Sequence, residues 1–191
     1  MQIVMELTGR TPMVQHNAAL LDPANPITQE IAKITKKRNK TEADYAEVAK
    51  LEWFGGLYHD PKLGVYVPSE WINKCLERAG TITRQGTAVA RAFTVMADRF
   101  SLQYDGPKEP QKLWERDEFR YFRPVGVQRN KVMRMRPIFR SWKLTVEAFM
   151  LETVLDFSAF QEIAALAGRA EGLGDARRLG MGRFDVEVIG A

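Results

Sequence analysis

Trp142-Lys143-Leu144-Thr145-Val146-Glu147-Ala148-Phe149-Met150 puts an apolar side chain at every second position. That period places Trp142, Leu144, Val146, Ala148 and Met150 on one face of a β-strand and turns the other face to water. Downstream, Asp156 precedes Phe157, Phe160, Ile163, Ala164 and Ala167, spaced as the apolar stripe of a helix that Gly168 stops. Phe184, Val186 and Val188 alternate again along a last strand.

Upstream, Ile3, Met5 and Leu7 share one face of a first strand, which Thr8-Gly9-Arg10-Thr11-Pro12 ends. A polar loop holding His16 follows. Ile27, Ile31 and Ile34 predict a helix as far as Lys37, and Thr41-Glu42-Ala43-Asp44 is the capping box of another, closed by Gly55-Gly56. Val65-Tyr66-Val67 is a short strand. Pro68-Ser69 then opens a helix with Trp71, Ile72, Cys75, Leu76 and Ala79 on its apolar side and Gly80 as its stop. Ala92 to Met96 reads as a strand, Asp105-Gly106-Pro107 as a turn and Lys108 to Glu118 as loop. Phe122 to Phe139 reads as a β-hairpin bent near Gln128-Arg129-Asn130. The order strand, helices, strand, strand, helix, strand predicts an α+β fold with a ferredoxin-like (RRM-like) βαββαβ core. The expected organisation is a single domain over residues 1–191, with the basic hairpin in an insertion at about 97–141.

Of the 191 residues, 45% are hydrophobic and 27% charged, enough for a full core under an ordinary surface. No apolar run approaches the ~18 residues of a membrane-spanning helix. Met1 to Leu7 lacks the basic head and long apolar stretch of a secretion signal. The single cysteine, Cys75, allows no internal disulfide and suits a reducing compartment, so a cytoplasmic protein is expected.

The net charge of +4 is concentrated in one place. Arg120, Arg123, Arg129, Lys131, Arg134, Arg136, Arg140 and Lys143 fall in a segment without Asp or Glu, and the rest of the chain holds 20 basic and 24 acidic residues. A local cationic segment is the footprint of a polyanionic partner. Phe119, Tyr121, Phe122, Phe139 and Trp142 are interleaved with these cations and offer planes on which unpaired bases stack. The plainer alternative is a solvated strand pair whose aromatics fill the core.

A second candidate is Gly172-Leu173-Gly174-Asp175-Ala176-Arg177-Arg178-Leu179-Gly180-Met181-Gly182-Arg183, between a helix and the last strand. Gly172, Gly174, Gly180 and Gly182 let backbone approach a ligand and turn N–H groups toward it, while Arg177, Arg178 and Arg183 add charge. It is neither a P-loop nor a dinucleotide fingerprint, because a strand follows it and no Gly-Lys-Ser/Thr does. Lys33, Lys36, Lys37, Arg38 and Lys40 form a third basic cluster, for which a helix C-terminus is sufficient reason. His16 and His59 are the only histidines and have no metal-ligand spacing, so neither metal nor cofactor is expected. Cys75 reads as packed rather than nucleophilic.

The glycine-rich loop before the last strand, with its GxGxxxxxGxGR pattern from Gly172 to Arg183, and the Val67-Pro68-Ser69 turn into a helix resemble the RAMP superfamily, the RNA-binding proteins of CRISPR systems. The chain is also similar to small uncharacterised proteins of bacteriophages and prophages, which would place it in the cytoplasm of a bacterial host. The resemblance implies binding of RNA or single-stranded nucleic acid, and assembly with further copies or other subunits of a nucleoprotein complex. No RRM-type aromatic motif is present, so base stacking on the central strands is not expected. The leading expectation is non-enzymatic binding of RNA or single-stranded DNA by the hairpin and the glycine loop. One alternative is a metal-independent endoribonuclease, with His16 as general acid or base and Lys36 or Lys37 stabilising charge. The other is a protein-binding inhibitor of a host nucleic-acid complex.

Overall fold

Alternation along the chain builds a central sheet first. The computed structural model of the protein describes residues 1–127 and 130–190. Strand β1 (Gln2–Gly9) is followed by the short β2 (Met13–Val14) and by helices α1 (Pro26–Thr35) and α2 (Glu42–Gly56). Strands β3 (His59–Asp60) and β4 (Gly64–Pro68) lead into helices α3 (Ser69–Ile82) and α4 (Gly86–Ala92). Then come β5 (Phe93–Val95), β6 (Arg99–Ser101), β7 (Gln103–Tyr104) and α5 (Pro110–Trp114). Strands β8 (Arg120–Val127), β9 (Asn130–Phe139) and β10 (Trp142–Met150), helix α6 (Phe157–Leu166) and β11 (Phe184–Gly190) complete the order. The fold is α+β with several antiparallel sheets.

The central sheet runs β11-β1-β10-β5, each neighbour antiparallel, with β7 pairing the start of β10. Register sets Met5 beside Val146 and Val188, and Leu7 beside Leu144 and Val186. This face is buried under α3, through Ile72, Cys75, Leu76 and Ala79, and under α6, through Phe160, Ile163 and Ala164. The opposite face is open. A second sheet, β2-β9-β8, carries the hairpin and packs on α2, and β3-β4-β6 forms a third. Among the described residues no helix is long and apolar enough to cross a membrane.

Several boundaries differ from the sequence expectation, two of them where a glycine packs against another element. Gly80 does not stop α3. It is buried inside the helix, where an added Cβ would lie 2.8 Å from Val89 and 3.1 Å from the backbone of Gly86 on α4. Gly168 likewise lies against the backbone of Phe184, and the chain runs on from α6 through a π-helical turn, Ala167–Glu171. The strand expected from Ala92 to Met96 is present as Phe93–Val95, with Ala92 ending helix α4 instead. The segment Lys108 to Glu118 is helical at α5, where Pro110 stands in the first turn and Leu113 is buried. Helix α1 ends at Thr35, short of Lys37. The hairpin is present with the expected strands; its bend at Gln128 and Arg129 lies outside the described residues.

Candidate nucleic-acid interface

The hairpin and the glycine-rich loop, about forty residues apart in sequence, meet on either side of β2. Met13 and Val14 pair with Phe139 and Ile138 of β9, while Val14 also bridges to Asp175 of the glycine loop. Arg136 closes the junction, its guanidinium 2.7 Å from the Asp175 carboxylate. The chain beyond β2 is fixed by Gln15, fully buried, whose side-chain amide donates to the Tyr66 carbonyl at 2.9 Å and accepts the Tyr58 N–H at 2.9 Å. Asn17 donates from its backbone to the Gly56 carbonyl at 3.0 Å. His16 is thereby held between two clefts. One, of about 350 Å³, lies under the hairpin and is lined by Leu20, Ile31, Val125, Arg134 and Arg136. The other, of about 290 Å³, lies between α3 and the glycine loop and is lined by Tyr58, Glu70, Trp71, Lys74, Arg78 and Arg177.

Burial drives the His16 pKa below its ordinary 6.5, and the Arg136 guanidinium pushes it the same way against the opposing pull of Asp175. As pH falls, the unfolded chain therefore takes up this proton before the folded one does. The folded state loses stability below about 6.5, and the loss levels off once the folded histidine also titrates. His16→Gln removes this part of the pH dependence, so thermal melts at pH 7.5 and 5.0 should differ less for the variant than for wild type.

The cationic segment divides into structural and free members. Arg134 reaches the Glu52 carboxylate, which is 7% exposed and also accepts the Met135 N–H at 3.0 Å. Arg120 pairs with Asp117 and lies over the Trp114 ring at 5.0 Å. Arg123, opposite Arg134 in register, is exposed and lies over Tyr121, 5.9 Å from the ring centroid. Lys131 and Arg140 are exposed; Arg129 lies outside the described residues. Lys143 projects from the open face of the central sheet, away from the hairpin clefts. Of the interleaved aromatics, Phe119, Phe139 and Trp142 are core residues, and only Phe122, at 50% exposure, stands well into solvent. Removing Arg134 leaves Glu52 buried with a single backbone donor. Arg134→Ala should cost about 2 kcal/mol in urea unfolding, and an unchanged midpoint would show that Glu52 rehydrates without strain.

The glycine loop is closed on the protein rather than presented as a row of donors. The N–H of Leu173 donates to the Gly182 carbonyl at 2.9 Å, that of Asp175 to Val14 at 2.8 Å, and that of Gly182 to Pro12 at 2.8 Å. The Arg183 N–H donates to the Thr11 hydroxyl at 2.8 Å, and the hydroxyl donates to the Gly180 carbonyl at 2.8 Å. Gly172 and Gly174 shape the floor of the cleft beside Arg177, while Arg178 is exposed. The Arg183 guanidinium folds back to the Arg177 carbonyl at 3.3 Å, leaving one buried nitrogen without a partner.

The third basic cluster is partly consumed. Lys37 binds Asp44 at 2.6 Å, and this contact with the Thr41 cap holds the Asp44 carboxyl at about 2. Lys33 pairs with Glu30 at 2.6 Å. The cations lining the clefts beside His16 are Arg134 and Arg136 in one and Lys74, Arg78 and Arg177 in the other, and neither Lys36 nor Lys37 lines either. Cys75 is buried and its thiol is pushed up to about 12, chiefly by burial, so it is unreactive near neutral pH.

Trp71, Lys74 and Arg78 are functional candidates that sequence reasoning missed. Their spacing puts them on the side of α3 facing the cleft, and the signal was there: an aromatic followed by cations at i+3 and i+7, next to the apolar stripe of the same helix.

No family model matches the chain, and no curated protein does. Among solved structures, it is similar to a chain in the cryo-EM structure of the Type III-B Cmr-beta bound to cognate target RNA, with a TM-score of 0.45 and 14% sequence identity. The match covers 98% of this chain and 60% of that one, so the chain spans less than two thirds of its neighbour's length.

Proposed function

We propose that the protein binds RNA or single-stranded DNA without cleaving it, along a path from the hairpin past His16 to the cleft between α3 and the glycine loop. The observation that carries this reading is the convergence at β2. Two segments chosen from sequence for their cations are brought together there by the Arg136–Asp175 pair. Among the described residues no carboxylate lies within 4.0 Å of the charged groups of Arg123, Lys131, Lys74, Arg78, Arg177 or Arg178. Unpaired guanidinium and ammonium groups beside grooves suit phosphates, and Trp71 and Phe122 offer planes for bases.

We further read the chain as one RAMP-like domain with a ferredoxin-like core and an insertion at about 97–141. The antiparallel order β11-β1-β10-β5 with α3 and α6 on one face supports that reading. The working partner is then a strand within a nucleoprotein complex.

Affinity should be strongly dependent on salt, because each phosphate contact releases counterions. A labelled single strand titrated at several salt concentrations should show affinity falling by orders of magnitude over a few-fold rise, and purified protein should carry nucleic acid visible as a high 260/280 absorbance ratio. A flat salt response would remove the electrostatic basis of the proposal. The placement of His16 beside two guanidiniums favours a second reading, metal-independent cleavage of RNA with the neutral imidazole as base. Cleavage in EDTA that vanishes both with His16→Ala and with a 2′-deoxy substrate would establish it.

A further inference from the structure

The cleft between α3 and the glycine loop has two unlike ends. Glu70, Lys74 and Arg78 recur at i, i+4 and i+8, so they form one stripe along α3, and all three line the cleft. Helical rise sets Glu70 about 12 Å from Arg78 along the axis. At the Glu70 end the rings of Trp71 and Tyr58 meet edge to face, 5.2 Å apart. The Tyr58 hydroxyl accepts the Ala18 N–H at 3.2 Å and keeps its own proton to donate. At the other end Arg177 of the glycine loop joins Lys74 and Arg78. Burial and Glu171 raise the Cys75 thiol pKa, whereas Arg177, Arg183 and Arg78 all lower it, so these guanidiniums lie near one turn of α3. Among the described residues no cation lies within 4.0 Å of the Glu70 carboxylate, and no carboxylate within 4.0 Å of Lys74, Arg78 or Arg177.

Three cations on one cleft exceed what the single charge of an internal phosphodiester asks for. A phosphate monoester carries nearly two charges and three acceptor oxygens, which suits them better. Glu70 repels phosphate and accepts from N–H donors. The guanine edge offers a ring N–H and an amino group side by side, one for each carboxylate oxygen. Uracil offers one N–H between two carbonyl oxygens, which a carboxylate repels. Trp71 supplies a plane for the base. At about 290 Å³ the cleft stands at the small end of ligand sites, roughly 300–1,000 Å³, and suits a single nucleotide.

We propose that this cleft binds a guanosine 5′-phosphate, its monoester on Lys74, Arg78 and Arg177 and its base edge on Glu70 beside Trp71. The nucleotide is the 5′-phosphorylated end of a strand or a free one, since both carry the same chemistry. Only the strand-end source rests on the strand-binding reading above.

Calorimetric titration of nuclease-treated protein with GMP, guanosine and UMP tests the cleft. A short strand beginning with G, labelled at its 3′ end and made with a 5′-phosphate or a 5′-hydroxyl, tests the source. GMP should bind about tenfold or more tighter than guanosine and than UMP. Arg78→Gln with Arg177→Gln should erase the first difference, and Glu70→Gln the second. The phosphorylated strand should bind about tenfold tighter than the hydroxyl strand, a gain that excess GMP removes. GMP preference without that gain assigns the cleft to the free nucleotide. Circular dichroism melts establish folding, and Lys74→Gln with Arg78→Gln, both exposed positions, replaces the double variant if it is unfolded. GMP that binds no tighter than guanosine or than UMP, or differences that persist in the folded variants, would overturn the proposal. GMP binding as described with neither strand bound would count against the strand-binding reading and not against this one.

Discussion

Gly182→Ala is expected to unfold the chain or cost it several kcal/mol, far more than a methyl group costs elsewhere in the glycine-rich loop. Gly182 has a φ of +73°, and a Cβ built there runs into the carbonyl of Leu173. The obstacle is backbone, tied at 2.9 Å to the Gly182 carbonyl through the Leu173 N–H, so it has no rotamer to swing away. Gly180 is the control. Its φ is +81°, but nothing lies within 4 Å of an added Cβ, so Gly180→Ala carries only left-handed strain, of about 1 kcal/mol. Urea unfolding of both variants measures the difference. Equal costs would mean that the loop opens readily at Leu173 and does not fix the cleft beside Arg177. A large gap would show that the glycine pattern serves loop closure, which sets where Asp175 meets Arg136.

That contrast shows how far the sequence could be read. Strands such as Trp142–Met150 were legible because burial on one face imposes period two on the residues themselves. The Thr41–Asp44 capping box was legible because it is a local bond pattern, and both of its reciprocal hydrogen bonds are present. Gly80 and Gly168 were misread as helix stops because their cause lies outside the helix that holds them: each makes room for a later element, α4 for one and β11 for the other. The aromatic residues of the cationic segment were ambiguous for the same reason. Phe119 accepts the Trp53 indole N–H at its carbonyl at 2.8 Å and buries its ring beside Tyr104 and Phe139, which no spacing rule reveals.

The candidate interface divides along the same line. Charge is a property of the sequence, so the cationic segment could be located. Whether a given arginine is spent depends on partners such as Glu52, 82 residues from Arg134, and Asp175, which lies in another segment altogether. Replacing Arg134 and Arg136 would therefore confound lost binding with lost structure. The free cations have to come from residues whose neighbours impose no such task.

Arg123→Glu, Arg177→Glu and Arg178→Glu together are expected to weaken binding of a short single strand by about a hundredfold or more at moderate salt. Each residue lacks a carboxylate partner among the described residues, and the three flank the junction on the hairpin side and the glycine-loop side. If each contacts one phosphate, losing them should also flatten the logarithmic salt dependence by roughly 2, at ~0.7 per contact for single strands. The matched control is Lys36→Glu, Arg38→Glu and Lys40→Glu, which changes the net charge by the same amount at the end of α1. Any long-range effect of net charge is common to both variants, so the difference between them reports position. The control should lose affinity modestly and keep most of the wild-type salt slope. Melting curves must first show both variants folded, which the exposure of Arg123 and Arg178 favours. Equal losses from the two variants, with equal slopes, would mean that binding follows diffuse positive charge and that the hairpin, His16 and the glycine loop do not form a strand-binding path.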